Sequence, residues 1–238
     1  MLVLAIDTSG KSGSIALART TPGPSDVEIV EVVPRTGGAF SAQLVPQIAA
    51  LLEKHKHSKN DLEAFAVATG PGSFTGLRVG LAAIKALAEA LRKPIAAISL
   101  LEAVAWSSTA WSGRAWSSTA QGAARGRVLA ALDAGRGDVY VGDYELAPQL
   151  RMHSERLLSR DEFIAIAKGA TVVTPDAALA EMVRAAGVHV ERIEYPGSAV
   201  IARMGWEHLK RGQTVRPEEL EANYIRHSDA EIFSKPKA

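Results

Sequence analysis

Cysteine is absent from the 238 residues. That removes disulfides, thiolate metal sites and a cysteine nucleophile together, and it fits a reducing compartment. A surplus of either charge is absent as well: 27 Lys and Arg stand against 26 Asp and Glu, for a formal net charge of +1. A dedicated nucleic-acid binder normally carries a basic excess, so the balance argues against that class. No uninterrupted apolar run approaches the roughly 18–20 residues that a membrane-spanning helix requires. The N-terminus, Met1 to Ile6, runs into Asp7 without a basic leader, so it is not read as a signal peptide, and a soluble cytoplasmic protein with no membrane partner is expected. Aromatics are scarce at 5%, yet three of the four Trp fall between Trp106 and Trp116. Against these absences stand 47% apolar and 22% charged residues, ordinary values for a chain with a sizeable core. The length suits one large domain or two small lobes.

Leu2–Ile6 is an apolar run closed by Asp7-Thr8-Ser9-Gly10, and Ser14–Ala18 resumes as a second strand, so the pair predicts a hairpin. Val27–Val33 is a third strand, with Pro34 as its stop. From Ser41 the period changes: Leu44, Ile48 and Leu51 recur at helical spacing, and Pro46 is tolerable only near that helix's start. Ala64–Ala68 reads as a buried strand, Phe74–Arg92 as a long helix and Pro94–Ser99 as another strand. The second half repeats the opening: Val128–Leu132 ends at Asp133, a Gly135-Arg136-Gly137 turn follows, and Val139–Tyr144 continues. Strand, terminal Asp, glycine turn and strand occur twice, which predicts a duplicated lobe rather than one continuous sheet. Ala105-Trp-Ser-Ser-Thr-Ala110 is copied at 115–120 and reads as a tandem duplication in a surface loop. A base-stacking platform is the weaker alternative, because only Arg114 and Arg125 supply charge nearby.

The most informative stretch runs from Thr69 through Gly70-Pro-Gly72-Ser73-Phe74-Thr75-Gly76-Leu77-Arg78-Val79-Gly80, a glycine-rich turn that opens the long helix. Such a turn presents backbone N–H groups at a helix N-terminus and suits an anion. It is not a Walker loop, since no Gly-Lys-Ser/Thr closes it. A tight structural elbow explains it equally well. The helix carries two stripes without charge: Leu77, Leu81, Ile84, Ala88 and Leu91, and a flatter one of Gly76, Gly80, Ala83, Leu87 and Ala90. A surface helix needs only one. Either the helix is central to the monomer, or its small-residue face receives a partner helix; in the second case a large residue at Gly80 is expected to block pairing while leaving the fold intact.

Asp7-Thr8-Ser9, the Gly70–Gly80 motif, Leu132-Asp133-Ala134 with Asp138-Val-Tyr140, and the ending Tyr224-Ile225-Arg226 together resemble the TsaB (YeaZ) family. The likeness runs from Met1 to about Arg226. Ala222 stands where that family usually has Pro, Phe40 where it often has His, and the Trp repeat is not a family feature. The resemblance implies an α/β fold of two RNase H-like lobes of the actin/Hsp70/sugar-kinase type, with mixed sheets flanked by helices. Residues 1–104 would form the N-terminal lobe, joined by 214–238, and residues 105–213 the C-terminal lobe.

It further implies a non-catalytic subunit in the synthesis of N6-threonylcarbamoyladenosine at tRNA adenosine 37. Such a subunit pairs with a TsaD-like transferase and works with a TsaE-like ATPase. It forms a homodimer when alone and meets tRNA only indirectly. No cofactor is expected on this chain, ATP and metal belonging to the partner subunits. Relatives with transferase activity carry a His-x-x-x-His metal pair after the strand matching Pro94–Ser99; Leu100 and Val104 occupy those places here and cannot ligate a metal. His55 and His57, among Lys54, Lys56 and Lys59, read as a solvated helix end.

The expected partner interface lies on helices 41–55 and 74–92, through Leu44, Ile48, Phe74, Gly76, Leu77, Gly80, Ala83 and Leu87. Asp7, Thr8, Ser9, Gly70, Gly72, Ser73 and Asp133 form a candidate vestigial nucleotide or phosphate site. Two other classes compete: an ATPase or small-molecule kinase of the same superfold using Asp7 or Asp133 with Mg²⁺, and a metallopeptidase, for which the sequence offers no ligand cluster.

Overall fold

In the computed structural model, residues 1–10, 13–21, 27–35, 40–108, 126–146 and 150–226 are described. Strand β1 (Leu2–Asp7) is apolar at five consecutive positions without alternation and buried along its whole length, the signature of a strand covered on both faces. It pairs antiparallel with β2 (Gly13–Thr20), which pairs antiparallel with β3 (Val27–Arg35). Two further strands, β4 (Ala64–Gly70) and β5 (Ile95–Ser99), extend the sheet in parallel on the other side of β1. The order is β3-β2-β1-β4-β5.

The second sheet repeats this plan. Strands β6 (Arg127–Gly135), β7 (Asp138–Glu145) and β8 (Arg151–Ser159) form an antiparallel meander. On the other side of β6, β9 (Thr171–Thr174) and β10 (Val190–Arg192) run parallel, giving the order β10-β9-β6-β7-β8. Two sheets of one topology, each with its central strand ending in the Asp-bearing phrase, make the predicted duplication of an RNase H-like lobe a structural fact. Pro34 does not stop β3 but lies within it, opposite Ser14; β3 is an edge strand, where a missing N–H is tolerated.

Helices α1 (Phe40–Lys54) and α2 (Phe74–Leu91) cover one face of the first sheet. They enclose a core of Leu4, Ile6, Leu17, Leu44, Ile48, Phe65, Leu77 and Ile84. Fully burying side chains of this size stabilises the fold by about 1.5–3 kcal/mol each. Pro46 sits in the second turn of α1 rather than at its start; the carbonyl that loses its i+4 donor there is that of Ala42, an exposed residue, where the loss costs least because solvent has access. Helices α4 (Arg160–Ala167) and α5 (Ala177–Ala185) cover the outer face of the second sheet around Phe163, Val172 and Leu179. His55, expected at a solvated helix end, instead meets Glu31 of β3 with its Nε2 2.7 Å from Oε2.

Helix α6 (Ser198–Lys210) and helix α3 (Leu100–Trp106) correct the expected lobe boundaries. Although α6 follows the second sheet in the chain, it packs on β1, β2, β4 and β5 of the first. Ser198 donates its N–H to Ser14 Oγ at 2.9 Å, and Arg203 reaches the Val27 carbonyl. Conversely α3, drawn almost wholly inside the N-terminal lobe, packs chiefly beneath β6 and β7 of the second sheet. Cuts at 104 and 213 therefore do not separate the packing, and one continuous core containing Ala66, Ile98, Leu101, Val104, Leu132, Tyr144 and Ile201 joins both sheets. The stretch after α6 returns to the first lobe, where Val215 bridges Ile95 and Leu220 enters the α1–α2 core. Residues 109–125 lie outside the described ones, so the second Trp repeat and most of the loop reading fall there. Trp106 itself packs half-buried on the shared core. Among the described residues no helix is long and apolar enough to cross a membrane.

Candidate functional site

Two places gather the residues singled out by the sequence: the end of β1 and the outer face of α1 and α2. At the first, the carboxylate of Asp7 is buried and folded back onto its own turn. Its Oδ1 accepts from the Ser9 N–H at 2.9 Å and from the Ser9 hydroxyl, while Oδ2 is buried and finds no hydrogen-bond partner among the described residues. Desolvation raises the Asp7 pKa, and the two Ser9 hydrogen bonds only partly oppose it. The Tyr195 hydroxyl lies 3.2 Å from Ser9 Oγ.

The glycine-rich turn is clasped to this strand end. Ser9 O accepts the Ser73 N–H at 2.6 Å, and Thr8 Oγ1 donates to the Gly76 carbonyl at 2.7 Å. Ser73 caps α2, its Oγ accepting from the Gly76 N–H at 3.2 Å. A Cβ on Gly76 would stand 2.1 Å from Thr8 O, and one on Gly80 would stand 2.3 Å from Thr8 Oγ1. Gly72 meets Ser9 in the same way, with 2.4 Å to its carbonyl oxygen. Gly70 ends β4. Gly72, Gly76 and Gly80 are therefore required for contact with the chain's own β1 turn, and the Ser73 and Gly76 N–H groups that an anion would use are already engaged. This corrects two expectations. The small-residue stripe does not wait for a partner helix at Gly76 and Gly80, and a large residue at Gly80 would disturb the fold itself.

Asp133 does not mirror Asp7. It is exposed, and its N–H donates to Asp176 Oδ2 at 2.8 Å, tying β6 to the start of α5 as Ser9 ties β1 to the start of α2. In α3, Leu100 and Val104 are buried in the shared core. Among the described residues no group of three or more His, Asp or Glu is placed to hold a metal ion.

On the outer face, α1 and α2 leave an open groove of about 610 Å³ lined by Leu44, Val45, Phe74, Arg78, Val79 and Ala83 among others. Val45 is 58% and Phe74 41% exposed, high values for apolar side chains on adjacent helices. Of the residues expected at a partner interface, Phe74 is exposed and Ala83 and Leu87 are half-buried. Leu44, Ile48 and Leu77 point into the core, with Leu44 reaching the groove floor, and Gly76 and Gly80 face Thr8. The exposed face lies about one residue further round, at Val45, Ala49, Ala82 and Ala86, with Val79 half-buried beside them. Alanine at helix positions reads as filler, so only the phase left over after assigning the core reveals it. Sequence reasoning also missed Arg78 and Tyr224 as a unit. The guanidinium of Arg78 sits 3.7 Å above the Phe74 ring, its Nε donates to Tyr224 Oη at 3.2 Å, and the two rings lie 4.9 Å apart.

Fold and site define a class: a duplicated RNase H-like protein whose β1 end is clasped to the glycine turn that opens α2 and whose first lobe exposes an apolar helical face. Residues 31–200 match the family model described as TsaD: tRNA N6-adenosine threonylcarbamoyltransferase. The Bacillus subtilis tRNA threonylcarbamoyladenosine biosynthesis protein TsaB is 36% identical over 145 residues, 61% of this chain and 56% of the relative. The protein of the same name from Escherichia coli is 33% identical over 149 residues, covering 61% and 55%. The matches thus span little more than half the length of these curated relatives. Among solved structures, YeaZ from Pseudomonas aeruginosa superposes with a TM-score of 0.70 at 25% identity, covering 93% of this chain and all of the other. The chain belongs to the family that this model describes and, within it, to the TsaB/YeaZ group.

Proposed function

We propose that the protein is a non-catalytic subunit of the machinery that makes tRNA N6-threonylcarbamoyladenosine, pairing with a TsaD-like transferase through the outer face of α1 and α2. The observation that carries this reading is the apolar groove between those helices, with Val45 and Phe74 exposed on its walls. A contiguous exposed apolar surface marks an interaction site more often than a free one. The names of the relatives supply the pathway, and the family model supplies the kind of partner: a transferase member of the same family. Helices packing on such a face form a bundle, and the alanines at 82, 83 and 86 permit close approach. A second copy of the chain would occupy the same face when the transferase is absent, and a TsaE-like ATPase joins the assembled pair. ATP and metal then reside on the partners, and tRNA is met mainly through them.

The competing reading, an ATPase of the same superfold, asks Asp7 to hold a cation near phosphate. Asp7 is buried with its carboxyl pushed toward the neutral form, and the turn's Ser73 N–H is bonded to Ser9. Both features favour a structural role over cation binding. The test is co-expression with the transferase. Ala82→Glu, an exposed change in a good helix former, is expected to abolish co-purification while leaving thermal unfolding unchanged; undiminished co-purification overturns the docking face.

A further inference from the structure

The segment after Pro217–Glu219 crosses the molecule from one lobe to the other and touches the groove on its way. Leu220 is anchored in the α1–α2 core. Asn223 donates its N–H to the Thr69 carbonyl at 2.8 Å, at the end of β4, while its side-chain amide donates to Glu155 Oε2 on β8. Glu155 Oε1 in turn accepts from Tyr144 Oη at 2.6 Å and from the hydroxyl of Ser99, where β5 passes into α3. Tyr224 stacks on Phe74 and accepts from Arg78, both on the rim of the groove. Ile225 packs on the core shared by both sheets. Arg226 closes the path on the β6–β7 turn of the second lobe, pairing with Asp138 and reaching the Gly135 carbonyl at 3.4 Å.

We infer that residues 220–226 are a strap that couples occupancy of the α1–α2 groove to the relative angle of the two lobes. The argument is one of connectivity. The strap is fixed to the second lobe at Glu155 and at Asp138, and to the first at Thr69 and Leu220. Between these anchors its one large exposed ring forms part of the groove's own aromatic and cationic rim. A partner helix that engages Phe74 or Arg78 must either keep or replace the Tyr224 contacts. A change in lobe angle moves the Asp138 and Glu155 anchors and pulls on Tyr224. Linkage then runs both ways: what favours one rim geometry favours one lobe angle. The ion pair at Arg226 and the amide at Asn223 lie away from the groove, so their effect on binding has to pass through the strap.

This inference rests on the reading that a TsaD-like transferase occupies the groove, and the experiment separates the two. Because the chain has no cysteine, Lys59→Cys and Ala165→Cys place spin labels on exposed positions of the first and second lobes in an otherwise label-free protein. The distance distribution between them is measured with and without saturating purified transferase, beside a titration for affinity. Otherwise native chain is expected to bind and to shift the distribution. Arg226→Ala and, from the other side, Asp138→Asn are expected to lose most of that shift and to weaken binding by about tenfold, within the ordinary range of allosteric coupling. Arg226→Lys, which keeps the charge, is expected to retain much of it. Binding by the native chain with no shift, or equal shifts in Arg226→Ala and Asp138→Asn, overturns the strap and leaves the docking face standing. Failure of the native chain to bind overturns the docking face and the coupling with it.

Discussion

Replacing Gly80 with alanine should destabilise the protein, although alanine is the better helix former by about 0.8–1.0 kcal/mol. The new Cβ would lie 2.3 Å from Thr8 Oγ1 and 3.5 Å from Thr8 Cβ and Cγ2. Thr8 cannot simply swing away, because Oγ1 is buried and donates to the Gly76 carbonyl at 2.7 Å. Overpacking of this kind costs about 1–3 kcal/mol, and losing the hydrogen bond adds about 1 kcal/mol. After the propensity gain is subtracted, a net loss of about 2 kcal/mol remains, or roughly 4–8 °C in Tm for a chain of this size. The decisive assay is a double-mutant cycle by denaturant unfolding. With Thr8→Ala the hydroxyl and methyl are gone and only the 3.5 Å contact to Cβ remains. In that background Gly80→Ala should be neutral or stabilising by up to about 1 kcal/mol, so the destabilisation disappears with a coupling of about 2–3 kcal/mol. If Gly80→Ala stabilises the unaltered chain as it would an ordinary exposed helix, the clasp between α2 and the β1 turn is not what fixes that glycine.

Three further outcomes follow from the same geometry. Asp7 has its pKa raised by burial, so the folded state holds its proton more tightly than the unfolded chain; that contribution is fully present below the unfolded value of 3.8 and is lost as pH rises through the folded one. Relative to the unaltered protein, Asp7→Asn should therefore gain stability progressively as pH is raised above the unfolded value of 3.8; parallel urea titrations at several pH values would show it, and a constant difference would refute it. Glu155→Ala strips acceptors from Tyr144, Ser99 and Asn223 at once and should cost about 3 kcal/mol or more, against about 1 kcal/mol for Tyr144→Phe, by chemical denaturation. Placing a His-x-x-x-His pair in α3 with Leu100→His and Val104→His should yield no metal site; both positions are buried in the shared core, so a destabilisation of at least about 3 kcal/mol is expected from calorimetry instead.

The central elements were legible because their signals are local. An apolar run closed by Asp7 and another closed by Asp133 each announce a central strand, and their repetition announced the second sheet. What α2 does with its glycines was not legible, because close approach to a partner helix and close approach to one's own backbone require the same small residues; Thr8 decides, and it is distant in sequence. The same limit applies to α1. Leu44 and Ile48 are apolar at helical spacing, which marks the core before it marks an interface, and the outward positions are mostly alanine with Val45. Strand β8, Arg-Met-His-Ser-Glu-Arg-Leu-Leu-Ser, gives no alternating pattern because it is an edge strand with much of its surface open. That α6 covers the first sheet rather than the second is a matter of topology, which its amphipathic pattern does not encode. The strap was visible only as the Tyr224-Ile225-Arg226 ending; its anchors at Glu155 and Asp138 come from the other lobe.

The most direct test of the account is the threonylcarbamoyladenosine content of tRNA, read by mass spectrometry in cells depleted of their own copy of this protein. The unaltered chain should restore the modification. Ala82→Glu, carrying only a charge in the outer groove, should fail to restore it while unfolding at the same temperature as the parent. Full restoration by Ala82→Glu, or none by the unaltered chain, would contradict the proposal that this face assembles the modifying enzyme.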